Sequence, residues 1–450
     1  MLLGNMEDVA GEVVRLAREA GASAAECTLS QGEEFDAQVR KGEVETVKES
    51  GSRGAGVRVL FGRHTGSSYT SDLSPEGLRA MVRQAADLAR ITTEDPHAGL
   101  PDPAELGKLP GDLALFSPET AGIDAARKIE LARTAEQAAL EFDPRITNSE
   151  GSSFHSMLSR HAFVNSLGFS GSYETTSCSL SAVPVAQNGD RMERDYWFST
   201  ARRLGQLEDA DYIGRKAAER VIRRLGSRKL PTQKAAIIFE PRVARSLLGH
   251  IFEAINGDSI YRRASFLQDK LGEQVAASRV TVVDDATIPG LFGTSPYDDE
   301  GVPSRRTVVI ENGVLKSYLL NSYTARKLGM KTTGNASRGI TGNASIGHGN
   351  LYLEKGALTL DQLFREAGSA FYVTELMGFG VNAVTGDYSR GASGLWIENG
   401  EIAYPVSEVT IAGNLKEMLM NIEAVADDLE FRGSVACPTI LIAGLTISGT

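Results

Sequence analysis

Cysteine is scarce in this 450-residue sequence, which contains only Cys27, Cys178 and Cys437. The three lie far apart and form neither a Cys-x-x-Cys pair nor an even set that would build a disulfide framework. Isolated cysteines of this kind are typical of a reducing compartment. We therefore expect all three to be core residues of a cytoplasmic protein.

Long apolar runs are absent as well. No stretch of about 18 apolar residues is present to span a membrane, and residues 1–8 lack the basic segment and apolar core of a signal peptide. The apolar content of 42% and the charged content of 23% are ordinary for a soluble globular chain. The sequence thus predicts a cytoplasmic protein with no membrane partner.

Positive charge is in deficit. The sequence has 47 lysines and arginines against 58 acidic residues, which gives a formal net charge of −11. A nucleic-acid surface draws on clustered lysine and arginine. The short basic pairs at 223–224 and 262–263 are typical of solvated helix faces. We expect no nucleic-acid partner.

Several catalytic motifs are missing. The sequence has no Gly-x-Ser-x-Gly elbow and no Gly-x-x-x-x-Gly-Lys-Ser/Thr loop, which argues against an α/β-hydrolase and against a P-loop nucleotidase. Ser153 and His155 would share a strand face, but the nearest acid, Glu150, would point the other way. None of the six histidines is followed by glutamate, so the His-Glu motif of zinc peptidases is absent too.

An acidic run of Asp298, Asp299 and Glu300 precedes Gly301. Such a cluster is one way to hold Mg²⁺, although that ion usually needs a phosphate substrate as well. Acidic residues at a turn more often accept hydrogen bonds from nearby backbone amides. We therefore favour a loop-ordering role for Asp298 and Glu300 over a metal site.

Strands occur in runs and do not alternate with helices, which predicts an α+β fold with two domains, each with a largely antiparallel sheet and a few packed helices. A polar segment at 226–234 predicts the joint, so the domains are 1–230 and 231–450, the second rich in strands and glycine loops. Periodicity and capping residues predict helices at 6–20, 75–91, 124–141, 211–225, 242–256, 322–328, 359–367 and 414–424. Strands are predicted at 25–31, 34–40, 43–50, 54–62, 235–239 and 439–447, with a second sheet layer within 145–204.

The stretch 374–414 is dense in glycine between apolar runs, a pattern of frequent turns. Asn399–Gly400 within it, and Asn312–Gly313 before it, predict two tight hairpins. The five glycines at 378, 380, 386, 391 and 394 indicate close backbone approach. We expect residues 375–394 to line a surface shared between two subunits, with Met377, Gly378, Phe379, Gly380 and Asp387 as the substrate or interface loop.

The stretch 374–414 resembles the C-terminal signature of the TldD/PmbA family, named for modulation of DNA gyrase and for microcin processing. The resemblance is closest to the PmbA (TldE) branch. It extends to residues 297–301 (YDDEG), 309–316 (VIENGVLK), 333–336 (TGNA) and 442–444 (IAG), and more loosely to the whole chain. It implies a cytosolic pair of homologous subunits, of which the TldD-type subunit carries a zinc-binding His-Glu-x-x-x-His motif and a later cysteine ligand.

This sequence departs from the zinc motif. The matching helix, 242–256, offers His250 and Glu253, which share a helix face but supply two ligands where a zinc peptidase needs three. Cys437 follows the place where the family's cysteine ligand would align. We therefore assign no catalytic and no metal-binding residue, treat His250 and Glu253 as remnants of a site, and expect zinc only in a TldD-type partner.

The leading hypothesis is a PmbA/TldE-like, metal-free subunit of a metallopeptidase complex that processes or degrades small or unfolded peptides. It would be inactive alone and would accept peptide by pairing along a strand edge. Its partner would be a TldD-type subunit or a second copy, giving a dimer. The alternative is a homodimeric, non-catalytic binding or scaffold protein. An active peptidase with His250 and Glu253 as unusual ligands is the least favoured hypothesis.

Overall fold

The computed structural model describes residues 3–449. The helices of this range are α1 (Leu3–Glu19), α2 (Pro75–Ile91), α3 (Pro118–Ala121), α4 (Ala125–Leu140), α5 (Ala210–Ile222), α6 (Pro241–Ile255), α7 (Gly257–Tyr261), α8 (Ser322–Leu328), α9 (Leu360–Ala367) and α10 (Leu415–Met420). None of the helices in this range is long and apolar enough to cross a membrane.

The strands fall into two groups along the chain. The first group is β1 (Ala24–Arg40), β2 (Glu43–Phe61), β3 (His64–Thr70), β4 (Ile146–Asn165), β5 (Ser170–Asn188), β6 (Arg191–Arg194) and β7 (Trp197–Ala201). The second is β8 (Gln233–Phe239), β9 (Val282–Asp285), β10 (Arg306–Glu311), β11 (Val314–Leu315), β12 (Ala336–Ser337), β13 (Ser345–Ile346), β14 (Leu351–Leu353), β15 (Ala370–Val381), β16 (Asp387–Glu398), β17 (Glu401–Asn414), β18 (Ile422–Val425), β19 (Val435–Ala436) and β20 (Ile440–Ser448).

The first group forms one antiparallel sheet in the order β3-β2-β1-β4-β5-β6, with β7 also paired to β5. Helices α1 and α2 pack on part of this sheet, and α4 and α5 pack on the rest. Ser74 caps α2 through its hydroxyl and Pro75 occupies the first turn, as the sequence predicts.

Three details of the N-terminal prediction were wrong. The strands expected at 25–31 and 34–40 are one strand, β1, and those expected at 43–50 and 54–62 are also one strand, β2. Because Gly32 pairs with Ser52 on one side and Ser159 on the other, the ladder continues through the glycine. The strands of 145–204 also form no second layer, since β4 pairs directly with β1.

The C-terminal half contains a six-stranded sheet in the order β17-β16-β15-β8-β20-β18, and β17 also pairs with β20, which closes the sheet on itself. A five-stranded sheet, β11-β10-β9-β14-β19, completes the core. Helix α6 places Leu247, Leu248 and Ile251 in the main apolar cluster, while α9 covers the other face of the six-stranded sheet with Leu363 and Phe364.

Both Asn-Gly hairpins are confirmed. Asn312 and Gly313 have φ values of 49° and 81°, and Asn399 and Gly400 have 53° and 77°, as the primed hairpin turns require. The helix expected at 414–424 is shorter than predicted and ends at Met420, because Ile422 pairs with Ile442 in the sheet.

The predicted α+β class is confirmed. The sheets are largely antiparallel, and the parallel exceptions among the named strands are β8 with β15 and β14 with β19. The two halves of the chain also contact each other through buried ion pairs. Arg220 of α5 bonds to Glu240, which precedes α6, and Arg58 and Arg338 share Glu26.

The domain joint at 226–234 stays a prediction. The segment follows α5 and ends within the first two residues of β8. Limited proteolysis of the native chain is expected to cut there and to release two fragments of roughly half length. The proline-rich stretch 92–119 is the competing site. First cleavage within 235–257 would show that the chain is divided elsewhere.

Candidate functional site

Helix α6 is amphipathic and displays one polar face. Pro241 occupies its first turn, and the stripe of Val243, Leu247 and Ile251 faces the core. The other face carries Arg242, Arg245, Ser246, Gly249, His250 and Glu253. The helix thus presents polar side chains toward the strands β15 and β16.

His250 lies on this polar face and is largely buried. Its side chain is 17% exposed, whereas that of Glu253 is 60% exposed, and Nδ1 of His250 lies 3.9 Å from Oε2 of Glu253. Among the described residues, neither imidazole nitrogen has a hydrogen-bond partner. The ring meets Tyr388 of β16 edge-on at 6.2 Å between centroids.

Burial lowers the pKa of His250, and the nearby Arg390 lowers it further, although Glu253 partly opposes both. Burial and the charge of Arg390 thus both favour the neutral form of the His250 imidazole. Between residues 3 and 449 no three histidine, cysteine, aspartate or glutamate side chains gather as a metal ligand set would.

Burial also raises the pKa of Cys437, which lines a separate cavity with Arg220 and Glu240.

The five loop candidates of the sequence lie together in the hairpin of β15 and β16. Met377 is 44% exposed and Phe379 is 96% exposed. Gly378 has a φ of 76° within the bulge between Met377 and Gly380. Gly380 contacts its partner strand so closely that a Cβ would lie 2.2 Å from the carbonyl oxygen of Ser389. The hairpin therefore displays an apolar tip.

Asp387 has a local role in this hairpin. Its carboxylate accepts hydrogen bonds from the Thr385 hydroxyl and the Asn414 amide, and these bonds lower the pKa of Asp387. The next residue, Tyr388, contacts His250. The structure thus brings His250 and Glu253 on α6 close to the hairpin candidates, a proximity that the sequence did not reveal.

The outer part of β15 has a free edge. Only residues 370–373 of β15 pair with β8, whereas residues 375–381 pair with β16. No described strand lies along the other side of 375–381. An unpaired edge can accept an extended peptide through main-chain hydrogen bonds. The clustered glycines are the sequence signal for this segment, but they do not identify which edge is free.

Arg223 and Arg224 correct a further prediction, because the pair is not a solvated helix face. The side chain of Arg224 is 15% exposed, and it contacts Glu375 at 2.7 Å and Glu193 at 3.3 Å. Arg223 contacts Glu240 at 3.5 Å. The basic pair therefore forms ion pairs between α5 and the residues around β15.

The acidic loop is ordered as expected. Asp298 accepts hydrogen bonds from the backbone amides of Glu300, Val302 and Ala336, and Glu300 accepts one from the amide of Ser322. Both carboxyl groups are buried. Burial, followed by the charge of Glu300, raises the pKa of Asp298. Through these hydrogen bonds, Asp298 and Glu300 hold the loop in place.

Three models of one family match the chain. They are described as PmbA/TldA metallopeptidase domain 1 (residues 25–89), central domain (residues 118–225) and C-terminal domain (residues 232–449). The Metalloprotease PmbA of Escherichia coli O157:H7 is 43% identical over 94% of this chain and 92% of its own length. The Metalloprotease PmbA homolog of Haemophilus influenzae is 40% identical over 97% and 94%.

Solved structures agree with this. A Bacteroides thetaiotaomicron protein described as a modulator of DNA gyrase is 28% identical and superposes with a TM-score of 0.92, covering 100% of both chains. TldE of Thermococcus kodakarensis is 23% identical with a TM-score of 0.89, covering 98% of this chain and 100% of its own. The second similarity shows the common fold.

Proposed function

The chain belongs to the PmbA/TldD metallopeptidase family, and we propose that it is the metal-free, peptide-binding subunit of a two-subunit peptidase whose zinc lies in a TldD-type partner. Peptidase-named relatives support a role in proteolysis. The observation that carries the subunit assignment is the polar face of α6. In the family pattern this helix would hold zinc, but here it presents His250, Glu253 and a nearby arginine.

These residues do not fit a zinc site. A catalytic zinc needs three protein ligands and an open position, and the face of α6 supplies two. The positive charge of Arg390, which already lowers the pKa of His250, would also oppose a divalent cation at this place. No step of peptide hydrolysis is therefore assigned to this chain.

Peptide binding is proposed for the free edge of β15. Main-chain pairing requires no particular substrate side chain, which suits small or unfolded peptides of varied sequence. The edge lies beside α6, so a peptide paired along residues 375–381 would run past the remnant site. This chain would then hold and align the peptide, while the partner would supply the reactive metal.

Co-purification with a TldD-type homologue from the same genome tests this proposal. We expect cleavage of an unfolded peptide only when both chains are present. The variant His250→Ala should retain complex activity within a few-fold, because the imidazole touches no metal. Substitution of a motif histidine in the partner is the control, and should abolish cleavage.

Two results would contradict the proposal. One is cleavage by this chain alone that is lost in His250→Ala. The other is a stable homodimer that ignores the TldD-type homologue while still binding peptide, which would favour the non-catalytic binding or scaffold alternative.

A further inference from the structure

We propose that an arginine-lined groove beside the β15 edge binds the carboxylate of the peptide and so fixes its direction. The groove is a cavity of about 330 Å³ between α6, β15 and the end of β6. Its lining contains the carboxylates of Asp195 and Glu375. It also contains five arginines, namely Arg194, Arg224, Arg242, Arg245 and Arg390.

Positive charge exceeds negative charge in and behind this groove, although the whole chain carries −11. Asp195 contacts Arg220, Arg224 and Arg242 within 4 Å. Glu240 is likewise shared, by Arg220, Arg223 and Arg242. Glu193 and Glu375 also contact Arg224, so four carboxylates serve these four arginines. The excess positive charge therefore comes from Arg245 and Arg390, and an additional anion would be stabilised beside them.

Two guanidinium groups remain to meet that anion. Arg245 forms no hydrogen bond or ion pair with any described residue, although it lines the groove. The Nε atom of Arg390 donates only a long hydrogen bond, 3.4 Å, to the carbonyl oxygen of Met377. Arginine presents a planar fork of donors that matches a carboxylate. Arg245 and Arg390 are thus the anion-binding pair.

The position of the groove sets the peptide direction. Its residues from β15 are Thr374, Glu375 and Leu376, at the start of the free edge, whereas Val381 lies at the other end. A peptide antiparallel to β15 would carry its C-terminus into the groove. A parallel peptide would place its α-amino group among arginines, which like-charge repulsion disfavours.

This inference rests on the proposed peptide-binding function. The recognised chemistry is a carboxylate, which comes either from the peptide C-terminus or from an acidic side chain near it. Binding is measured with the full-length chain and a short, unstructured peptide that carries a fluorophore at its N-terminus. Three forms are compared by anisotropy: free C-terminal carboxylate, C-terminal amide, and C-terminal amide with a glutamate as the last residue.

We expect the free carboxylate form to bind about 10–100-fold more tightly than the plain amide, as a charge-assisted hydrogen bond requires. Recovery of affinity by the glutamate form would mean that any carboxylate suffices, whereas no recovery would make the terminus itself the ligand. Arg245→Ala and Arg390→Ala should each remove most of the preference for the carboxylate. Both arginine side chains are partly exposed, so removing either one leaves no buried charged group without a partner.

The control variant is Arg90→Ala, which removes the same charge from a distant helix and should leave the preference unchanged. Equal affinity for the carboxylate and amide forms overturns the arginine-groove assignment but leaves edge binding intact. Absence of binding by every form overturns edge binding and the groove together. The peptide comparison uses the unaltered chain, so it stands even if a variant fails to fold.

Discussion

Replacing Glu26 with alanine is expected to lower the free energy of unfolding by about 3–5 kcal/mol, the usual effect of breaking a buried ion pair. Glu26 is fully buried on β1, and its Oε1 atom accepts from both Arg58 and Arg338. Arg58 belongs to β2, whereas Arg338 follows β12 in the C-terminal half. The variant would leave two buried guanidinium groups without their shared carboxylate.

Urea unfolding followed by circular dichroism measures this effect. Glu12→Ala is a matched control, since Glu12 forms an exposed ion pair with Arg15 and should matter little. A Glu26→Ala variant as stable as the control would show that the three-residue cluster does not join the two halves.

The same cluster predicts a dependence on pH. Burial alone would raise the pKa of Glu26, but the charges of Arg58 and Arg338 outweigh it and lower the pKa below 4.5. A carboxyl group whose pKa is lower in the folded state than in the unfolded state stabilises the protein at pH values above its unfolded-state pKa. This stabilisation is lost as the pH falls through the folded-state pKa. The stability gap between wild type and Glu26→Ala should therefore be full above about pH 4.5 and shrink below it.

Replacing Gly380 with valine is expected to weaken dimerisation or partner binding while leaving the N-terminal half folded. A Cβ at this position would meet the Ser389 carbonyl oxygen at 2.2 Å, so the hairpin strands must separate. That displaces Phe379, whose side chain is 96% exposed. An apolar tip of this kind is shielded when a second subunit covers it.

A gentler variant, Phe379→Ser, removes the apolar contact without crowding the strands. Burying one phenylalanine contributes about 1.5–3 kcal/mol, so each lost contact should weaken association about tenfold or more. Light scattering at micromolar concentration measures the assembly. The control is Gly11→Ala on α1, where a Cβ meets no atom within 4 Å. An unchanged dimer in Gly380→Val would place the interface elsewhere, and a native monomer would show that this chain does not pair with itself.

Local signals in the sequence predict much of the fold. Caps such as Ser74 and turns such as Asn399–Gly400 depend on neighbouring residues, so α2 and the last hairpin follow from short stretches. The length of β1 does not, because Gly32 stays extended only through its partners on β2 and β4. Strand pairing is a non-local contact that composition does not reveal. Composition alone therefore predicts that the strand breaks at Gly32.

The candidate site divides in the same way. The helix that carries His250 and Glu253 is predictable from its apolar stripe, and so is the turning nature of the hairpin. The free edge of β15 is not, since it depends on where β8 ends its pairing at Phe239. The groove brings together arginines from positions 194 to 390, and only the assembled sheets and helices make them neighbours.

Zinc content of the purified chain, measured together with its peptide cleavage, tests the central claim most directly. The polar face of α6 supplies His250 and Glu253 and places Arg390 beside them, so we expect far less than one zinc per chain and no cleavage without a TldD-type partner. About one zinc per chain, lost together with cleavage in His250→Ala, would contradict the account.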